Sequence, residues 1–382
     1  YRKVQNYAKK NNDELFEHLA LWNIAIIEHI IGNYPKALKL YTKEMRYFEK
    51  INDMRRVNMI KPKIAYLYLF LGNHNKAIQL LYSVIDYFKK INCKVELSSA
   101  YTVLGRAFTE TKKYNQALDY LVRSLNIFSN LDDKLNICDT LGAIGVIYSK
   151  TGDLDNAWKY YQQQLNIARK IGNKRALARA LVNTGLIFSK RGNFEKAIYY
   201  YKKSLAVANK NNLKKSITQA YNNLSFINYL TGNFSQALYY IDKAIELTQK
   251  MNYQVRLIEY SFSKAQILIK IEKFREADNI NAQGIRLAQK INREDLLFQA
   301  KINKALILES KLKQSAIDYL LNIYKPYLDI RKKADIYFHL YQLTRKDKYK
   351  KKSLKLYHKS YQENPTSKIF KHIEILQKQK DD

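Results

Sequence analysis

Seven alanines stand at a constant forty-residue spacing along this chain: Ala37, Ala77, Ala117, Ala157, Ala197, Ala237 and Ala277. An eighth, Ala316, arrives one residue early. A second register of the same period holds small residues: Ala25, Ala65, Gly105, Gly145, Gly185, Ser225, Ala265 and Ala305. A fixed period of this size marks a solenoid, in which each unit buries its apolar face only against its neighbours. That also removes the difficulty of length. A chain of 382 residues is too long for one core, but a solenoid grows along its axis. Architectures of this kind hold partners more often than they transform substrates.

The chemistry within one unit can be followed from Asn173 to Asn212. Leu177, Leu181, Gly185 and Phe188 fall on one face of a first helix over Arg175 to Lys190. Arg191-Gly192-Asn193 ends it, because glycine enters the left-handed region without a Cβ clash. Phe194 to Lys210 form a second helix with Ala197, Ile198, Tyr201, Leu205 and Ala206 inward. Gly185 and Ala197 are small so that the two helices approach closely. The turn recurs as Gly32-Asn33, Gly72-Asn73, Gly152-Asp153 and Gly232-Asn233, and is replaced by Lys112-Lys113 and Glu272-Lys273 in two units. Downstream, Met45, Ile85, Leu125, Leu165, Leu205, Ile245 and Ile285 are expected to form a continuous apolar spine.

The run Gly185-Leu186-Ile187-Phe188, then Gly192-Asn193-Phe194-Glu195-Lys196-Ala197, resembles the tetratricopeptide repeat (TPR). The usual TPR unit has about 34 residues. The longer period here is similar to the subgroup found in bacterial peptide-sensing regulators, kinesin light chains and spindle-orientation adaptors. The resemblance implies an all-α fold, a right-handed TPR superhelical solenoid of about eight helix-turn-helix units with a C-terminal capping region. It also implies a non-catalytic protein- or peptide-binding scaffold, the TPR region of a longer regulatory or signalling protein.

Residues 1–12 read as the tail of a preceding repeat, since Ala8 lies four periods before Ala168. An earlier segment of a longer protein is therefore expected. Residues 13–330 read as the array. Residues 331–382 read as a degenerate repeat and a basic capping helix, interrupted by Pro365.

In TPR arrays the first helix of each unit lines the inner surface. Taking Gly185 as anchor, inward positions lie three before, two before, one after and a turn beyond. These give a partner-binding groove of Trp22, Asn23, Tyr66, Arg106, Asn183, Asn222, Asn223, Phe226, Tyr229, Phe262, Gln266 and Asn303. Asn23, Asn183, Asn223 and Asn303 share one register. An amide side chain bonds both N–H and C=O of an extended peptide, which suits sequence-tolerant holding. The competing reading has these asparagines bond the adjacent helix and align the stack.

The formal net charge of +33 leaves an alternative, a basic superhelix binding nucleic acid or another polyanionic, acidic partner. Residues 331–382 carry 15 Lys/Arg against 6 Asp/Glu, with a basic patch of Lys346, Lys348, Lys350, Lys351, Lys352 and Lys355. The tandem tyrosines Tyr160-Tyr161 and Tyr199-Tyr200-Tyr201 could stack bases, but successive helical residues point to different faces, so packing is their expected role. No phosphate loop, dinucleotide fingerprint, HExxH or GxSxG is present, and no catalytic residue is expected. His18, His29, His74, His339, His358 and His372 do not pair at ligand spacing, and Cys93 and Cys138 form no CxxC, so neither a metal nor a cofactor is expected. No apolar run has the length of a membrane span and no signal peptide opens the chain, which makes a cytoplasmic location the expectation and a membrane partner not one. No signal sets an oligomeric state.

Overall fold

The computed structural model describes residues 2–378 apart from Gly32, Asn252, Asn292, Glu294, Asp295, Tyr327 and residues 364–366. The expected interruption at Pro365 and the turn at Gly32 therefore lie outside the described residues. Twenty α-helices occupy the described residues, and no strand does. They are α1 (Arg2–Lys10), α2 (Glu14–Ile31), α3 (Tyr34–Lys50), α4 (Met54–Phe70), α5 (His74–Lys90), α6 (Lys94–Glu110) and α7 (Tyr114–Asn130). Then follow α8 (Lys134–Thr151), α9 (Leu154–Lys170), α10 (Lys174–Lys190), α11 (Phe194–Lys210), α12 (Lys214–Leu230), α13 (Phe234–Lys250), α14 (Gln254–Lys270) and α15 (Phe274–Lys290). The chain closes with α16 (Leu297–Glu309), α17 (Lys313–Ile323), α18 (Ile330–Thr344), α19 (Asp347–Glu363) and α20 (Ser367–Lys378). Even-numbered helices are the first of each unit and odd-numbered ones the second, through α19.

The turns show why the helices stop where they do. A residue with positive φ recurs every twenty positions, at Asn52, Gly72, Asn92, Lys112, Asp132, Gly152, Gly172, Gly192, Asn212 and Gly232. Glycine dominates the turn inside a unit, and asparagine or aspartate the turn between units. Both residue types enter the left-handed region most readily. At Gly192 the reversal is a double hydrogen bond, Gly192 N to Ser189 O at 3.1 Å and Asn193 N to Phe188 O at 2.9 Å, which satisfies two carbonyls of the ending helix. The next residue then starts the following helix. Asn193 Oδ1 accepts from Lys196 N at 3.0 Å, and Asp53, Asp133, Asp153 and Asn173 do the same for theirs. The Gly-Asn pair is thus a stop followed by a start.

The two alanine and small-residue registers are the sealed seams. Ala37, Ala77, Ala117, Ala157, Ala197, Ala237, Ala277 and Ala316 are all fully buried. A third sealed register lies four residues on, at Tyr41, Leu81, Leu121, Tyr161, Tyr201, Ile241 and Asn281. The spine expected at Met45, Leu125, Leu205, Ile245 and Ile285 is only half-buried, although Ile85 and Leu165 are buried. One residue earlier the chain is closed: Glu44, Val84, Ser124, Gln164, Ser204 and Ala244 have at most 1% exposure. Here the second helix crosses the first at its closest. Ser98 Oγ donates to Ser124 O at 2.9 Å, Ser204 Oγ to Ala178 O at 2.8 Å and Cys138 Sγ to Gln164 O at 3.5 Å. His18 Nδ1 lies 3.1 Å from both carboxyl oxygens of Glu44 at the same crossing. Small or polar side chains at this register let the helix backbones approach.

The helices group into two compact units. One comprises Tyr1–Ile147, Lys159–Ala176 and Met251–Tyr253, the other Tyr148–Trp158, Leu177–Lys250 and Gln254–Asp382. In the first, Tyr34 Oη donates to Tyr253 Oη at 3.2 Å. In the second, Tyr201 packs with Val182, Ala197, Leu224 and Ile227, and the C-terminal helices close around Ala334, Phe338, Tyr357, Ile369, Ile373 and Leu376. Among the described residues no helix is long and apolar enough to cross a membrane.

Candidate functional site

The first helices carry the groove residues, and each unit sorts them by what they touch. In the unit that begins the chain, Trp22 is half-buried, edge-on to Phe48 at 6.1 Å. Asn23 turns its amide back on its own helix, donating to Leu19 O at 3.0 Å. Tyr66 on α4 is half-buried and stacks on His29 at 5.3 Å. The Arg106 guanidinium of α6 lies 5.9 Å from the centre of the Tyr66 ring.

In the other unit, α12 presents Asn222, Asn223 and Phe226. Both amides are half-buried, Phe226 is 39% exposed, and all three project within one turn. No intramolecular hydrogen bond engages either amide among the described residues. Gln266 of α14 stands at the register of Phe226 and is equally unengaged and half-buried. Asn183 on α10, at the register of Asn223, is half-buried and already has an interaction within the protein. Tyr229 is largely covered; burial pushes its hydroxyl up to about 12, and it packs against Phe234.

Two groove residues are corrected. Phe262 is only 2% exposed and packs with Ile258, Ala288 and Ala300, because Gly284 leaves the space that its ring fills. Asn303 is fully buried. Its Nδ2 donates to Phe262 O at 3.0 Å and to Asn281 Oδ1 at 3.3 Å, and its Oδ1 accepts from Gln299 at 3.0 Å. It belongs to α16, two residues before Ala305. For this asparagine the aligning role holds and the ligand role does not.

The basic patch is also altered. Lys350 is 9% exposed, with its ammonium 5.9 Å from the Tyr341 ring, so it is not a surface cation. Lys348 and Lys352 rest over Tyr349 and Tyr337, and Lys351 pairs with Asp347 at 2.6 Å. Lys346 and Lys355 are exposed. In the tandem tyrosines, Tyr161 and Tyr201 are core, Tyr200 is stacked on Phe188, and Tyr199 alone is open at 51% exposure. Lys63 of α4 stands two positions before Ala65. It sits in the inward register of Asn23 and Asn183 and has no acidic partner among the described residues; burial holds its ammonium below the ordinary lysine range.

Helical hairpins of constant length, sealed by alanine and small-residue registers, define a helical-repeat solenoid. Residues 136–210 match one tetratricopeptide-repeat family model and residues 217–252 another. Those two stretches are tetratricopeptide repeats. No curated protein matches its sequence. Among solved structures, a Rap protein complexed with competence and sporulation factor is 15% identical, with a TM-score of 0.63 over 94% of this chain and 99% of its own. The Rap conjugation gene regulator of plasmid pLS20, in complex with the Phr* peptide, is 13% identical, with a TM-score of 0.58 over 92% and 96%. Aspartyl phosphate phosphatase F from Bacillus subtilis is 15% identical, with a TM-score of 0.54 over 93% and 94%. At these identities the likeness is one of fold.

Proposed function

We propose that this chain is a non-catalytic scaffold that holds a peptide or protein segment along its first helices, in a regulatory or signalling protein. The observation that carries the proposal is the α12–α14 face. Asn222, Asn223 and Gln266 keep their amides free of intramolecular bonds beside the exposed ring of Phe226. A half-buried amide without a partner is costly to maintain, and an extended peptide backbone satisfies both its donor and its acceptor. The fold supports the reading, since two solved structures that share it hold competence and sporulation factor and the Phr* peptide. The phosphatase of the same fold keeps an enzymatic role worth assaying, but the residues named here include no nucleophile with a base. Nucleic-acid binding is the weaker reading, because most of the α19 lysines that suggested it lean on tyrosines or pair with Asp347.

The test is selection of a random-peptide display library against the immobilised chain, followed by titration of the enriched peptides. Replacing Asn222, Asn223 and Gln266 together by alanine should weaken binding about tenfold or more while leaving the helical circular dichroism unchanged. Unchanged affinity in the triple variant would remove the assignment to this face.

A further inference from the structure

In the compact unit that begins the chain, exposed aliphatic side chains gather in the turns between repeats. They are Ile51 and Met54, Ile91 and Val95, and Leu131 and Leu135, each 43–48% exposed. The first of each pair follows the end of a second helix, and the other lies in the opening turn of the next first helix. Three consecutive repeats thus place an aliphatic pair at the same edge. The edge is continuous, because Arg55 of one turn stands beside Cys93 of the next, and α4 packs directly on α6 behind them.

The turn itself does not require these side chains. Asn211 and Lys215 hold the positions of Ile91 and Val95 three repeats on. That turn closes as the Asn92 turn does: Asn212 N donates to Asn209 O at 3.1 Å and Leu213 N to Ala208 O at 2.9 Å, against Asn92 N to Lys89 O at 3.2 Å and Cys93 N to Phe88 O at 2.9 Å. Aliphatic groups kept in water where the fold would accept polar ones mark an interaction surface.

The charges beside this ridge indicate what covers it. The turn at Asn52 is basic through Lys50 and Arg55, since Asp53 and Arg56 pair with each other. The turn at Asp132 is acidic, because Lys134 pairs with Asp132 and leaves Asp133 over. Beyond these two, the turn at Asn12 is acidic through Asp13 and Glu14, and the turn at Gly172 is basic through Lys170, Lys174 and Arg175. The sign therefore reverses across the Asn92 turn, once at the near neighbours and again at the far ones. A second copy rotated by a two-fold axis through the Asn92 turn meets opposite charge on both sides. The same rotation sets Ile51 and Met54 against Leu131 and Leu135 at matched spacing. Lys90 and Lys94 meet their own copies near the axis, a repulsion that Glu96 offsets in part.

We propose that this ridge is a homodimer interface, on which a second copy of the chain docks antiparallel about a two-fold axis at Ile91 and Val95. Packed helices lie about 8–10 Å apart, so five turns run about 32–40 Å. A strip about 20–25 Å wide then supplies the roughly 800 Å² per partner of a standard interface. The inference does not depend on the peptide-binding reading, whose face belongs to first helices of the other compact unit.

Sedimentation equilibrium of the full chain, from about 1 to 100 µM, should show a reversible dimer of twice 45.1 kDa. Ile91→Lys enters the interface twice, at its centre, and should weaken association about tenfold or more. Its helical circular dichroism should not change, since the site is exposed and the equivalent Asn211 is already polar. Asp132→Lys should weaken association about fivefold, and adding Arg55→Glu should restore it, because the exchanged charges face each other across the two copies. A chain that stays monomeric throughout this range would overturn the proposal. A dimer unmoved by Ile91→Lys would do so too, since it would use another surface, and failure of Arg55→Glu to rescue Asp132→Lys would overturn the two-fold arrangement. A monomer that floats with vesicles of phosphatidylserine and phosphatidylcholine, and no longer does so as Ile91→Lys, would give the ridge to a membrane surface and likewise refute it.

Discussion

Gly185→Ala is the most direct test of the close helix contact on which every unit depends. A Cβ at this position would lie 2.7 and 2.8 Å from two ring carbons of Tyr201 and 3.3 Å from Ala197 O. Carbon atoms prefer about 3.5–4.0 Å, so the ring would have to retreat by about 1 Å. Tyr201 is 2% exposed and enclosed by Val182, Ala197, Leu224 and Ile227, which leaves it nowhere to go. Overpacking of this kind costs about 1–3 kcal/mol. Alanine returns about 1 kcal/mol through its helix propensity. The net expectation is a loss of about 1 kcal/mol, and no more than about 2. Gly145→Ala should cost more, because its Cβ would stand 2.5 and 2.6 Å from the Tyr161 ring. Adding Tyr201→Ile to Gly185→Ala copies the pairing of Ser225 with Ile241 in the next unit and should recover the loss. Urea unfolding followed by circular dichroism gives the magnitude. Hydrogen exchange should place the loosening in α10, α11 and α12, since a solenoid transmits strain only to neighbours. If Gly185→Ala proved as stable as the parent, or more so, the ring would be free to turn aside. The seam would then owe its small residue to something other than fit.

Two further expectations follow from the turns and the buried polar pairs. Lys112 holds φ at +61° where most equivalent turns have glycine, so Lys112→Gly should raise stability by about 1 kcal/mol in urea melts, and a loss would show that the lysine side chain contributes more than its backbone strain costs. The His18–Glu44 pair should make stability depend on pH. Burial pushes the Glu44 carboxyl up from 4.5 to about 8, and burial with the nearby Lys43 charge moves the His18 imidazole down from 6.5. Below 6.5 the lowered His18 works in the opposite sense, because the unfolded imidazole takes up a proton more readily than the folded one. From 6.5 to about 8 the folded pair keeps a proton that the unfolded pair has lost, so stability falls as pH rises, by at most about 1.4 kcal/mol per unit. Glu44→Gln should flatten this limb in a pH series of urea melts; a limb that persists would assign the titration elsewhere.

The period was legible because alanine and small residues at a close contact have no substitute of larger volume. The second helices appear as read, and the first helix of the sample unit begins one residue earlier, at Lys174. The asparagine after the turn glycine at Gly192 was legible as a pattern but not as a job, since the cap that Asn193 makes is a bond to a backbone N–H that no side-chain periodicity reveals. The crossing register of Glu44, Ser124, Gln164 and Ser204 was missed for a related reason. Its residues are polar or small, and a search for apolar spacing settles one position later, on Leu125 and Leu205. Within the candidate site, Asn222, Asn223 and Phe226 keep contact with solvent. Phe262 and Asn303 do not, because burial there is decided by distant residues: Gly284, which makes room, and Asn281, which offers a bond.

The twenty-residue recurrence of left-handed turns bears on how such a gene can change length. Each turn would accept the helix on either side, so local geometry alone would tolerate deletion of a single helix with its turn. The seams would not. Losing one helix exchanges first for second helices in all that follows, and sets the Tyr161 and Tyr201 register against positions that keep no small residue for it. Losing two restores every register at once. Viable length variants of this chain should therefore differ by whole pairs of helices, and recombination between its repeats should leave survivors in steps of forty codons rather than twenty.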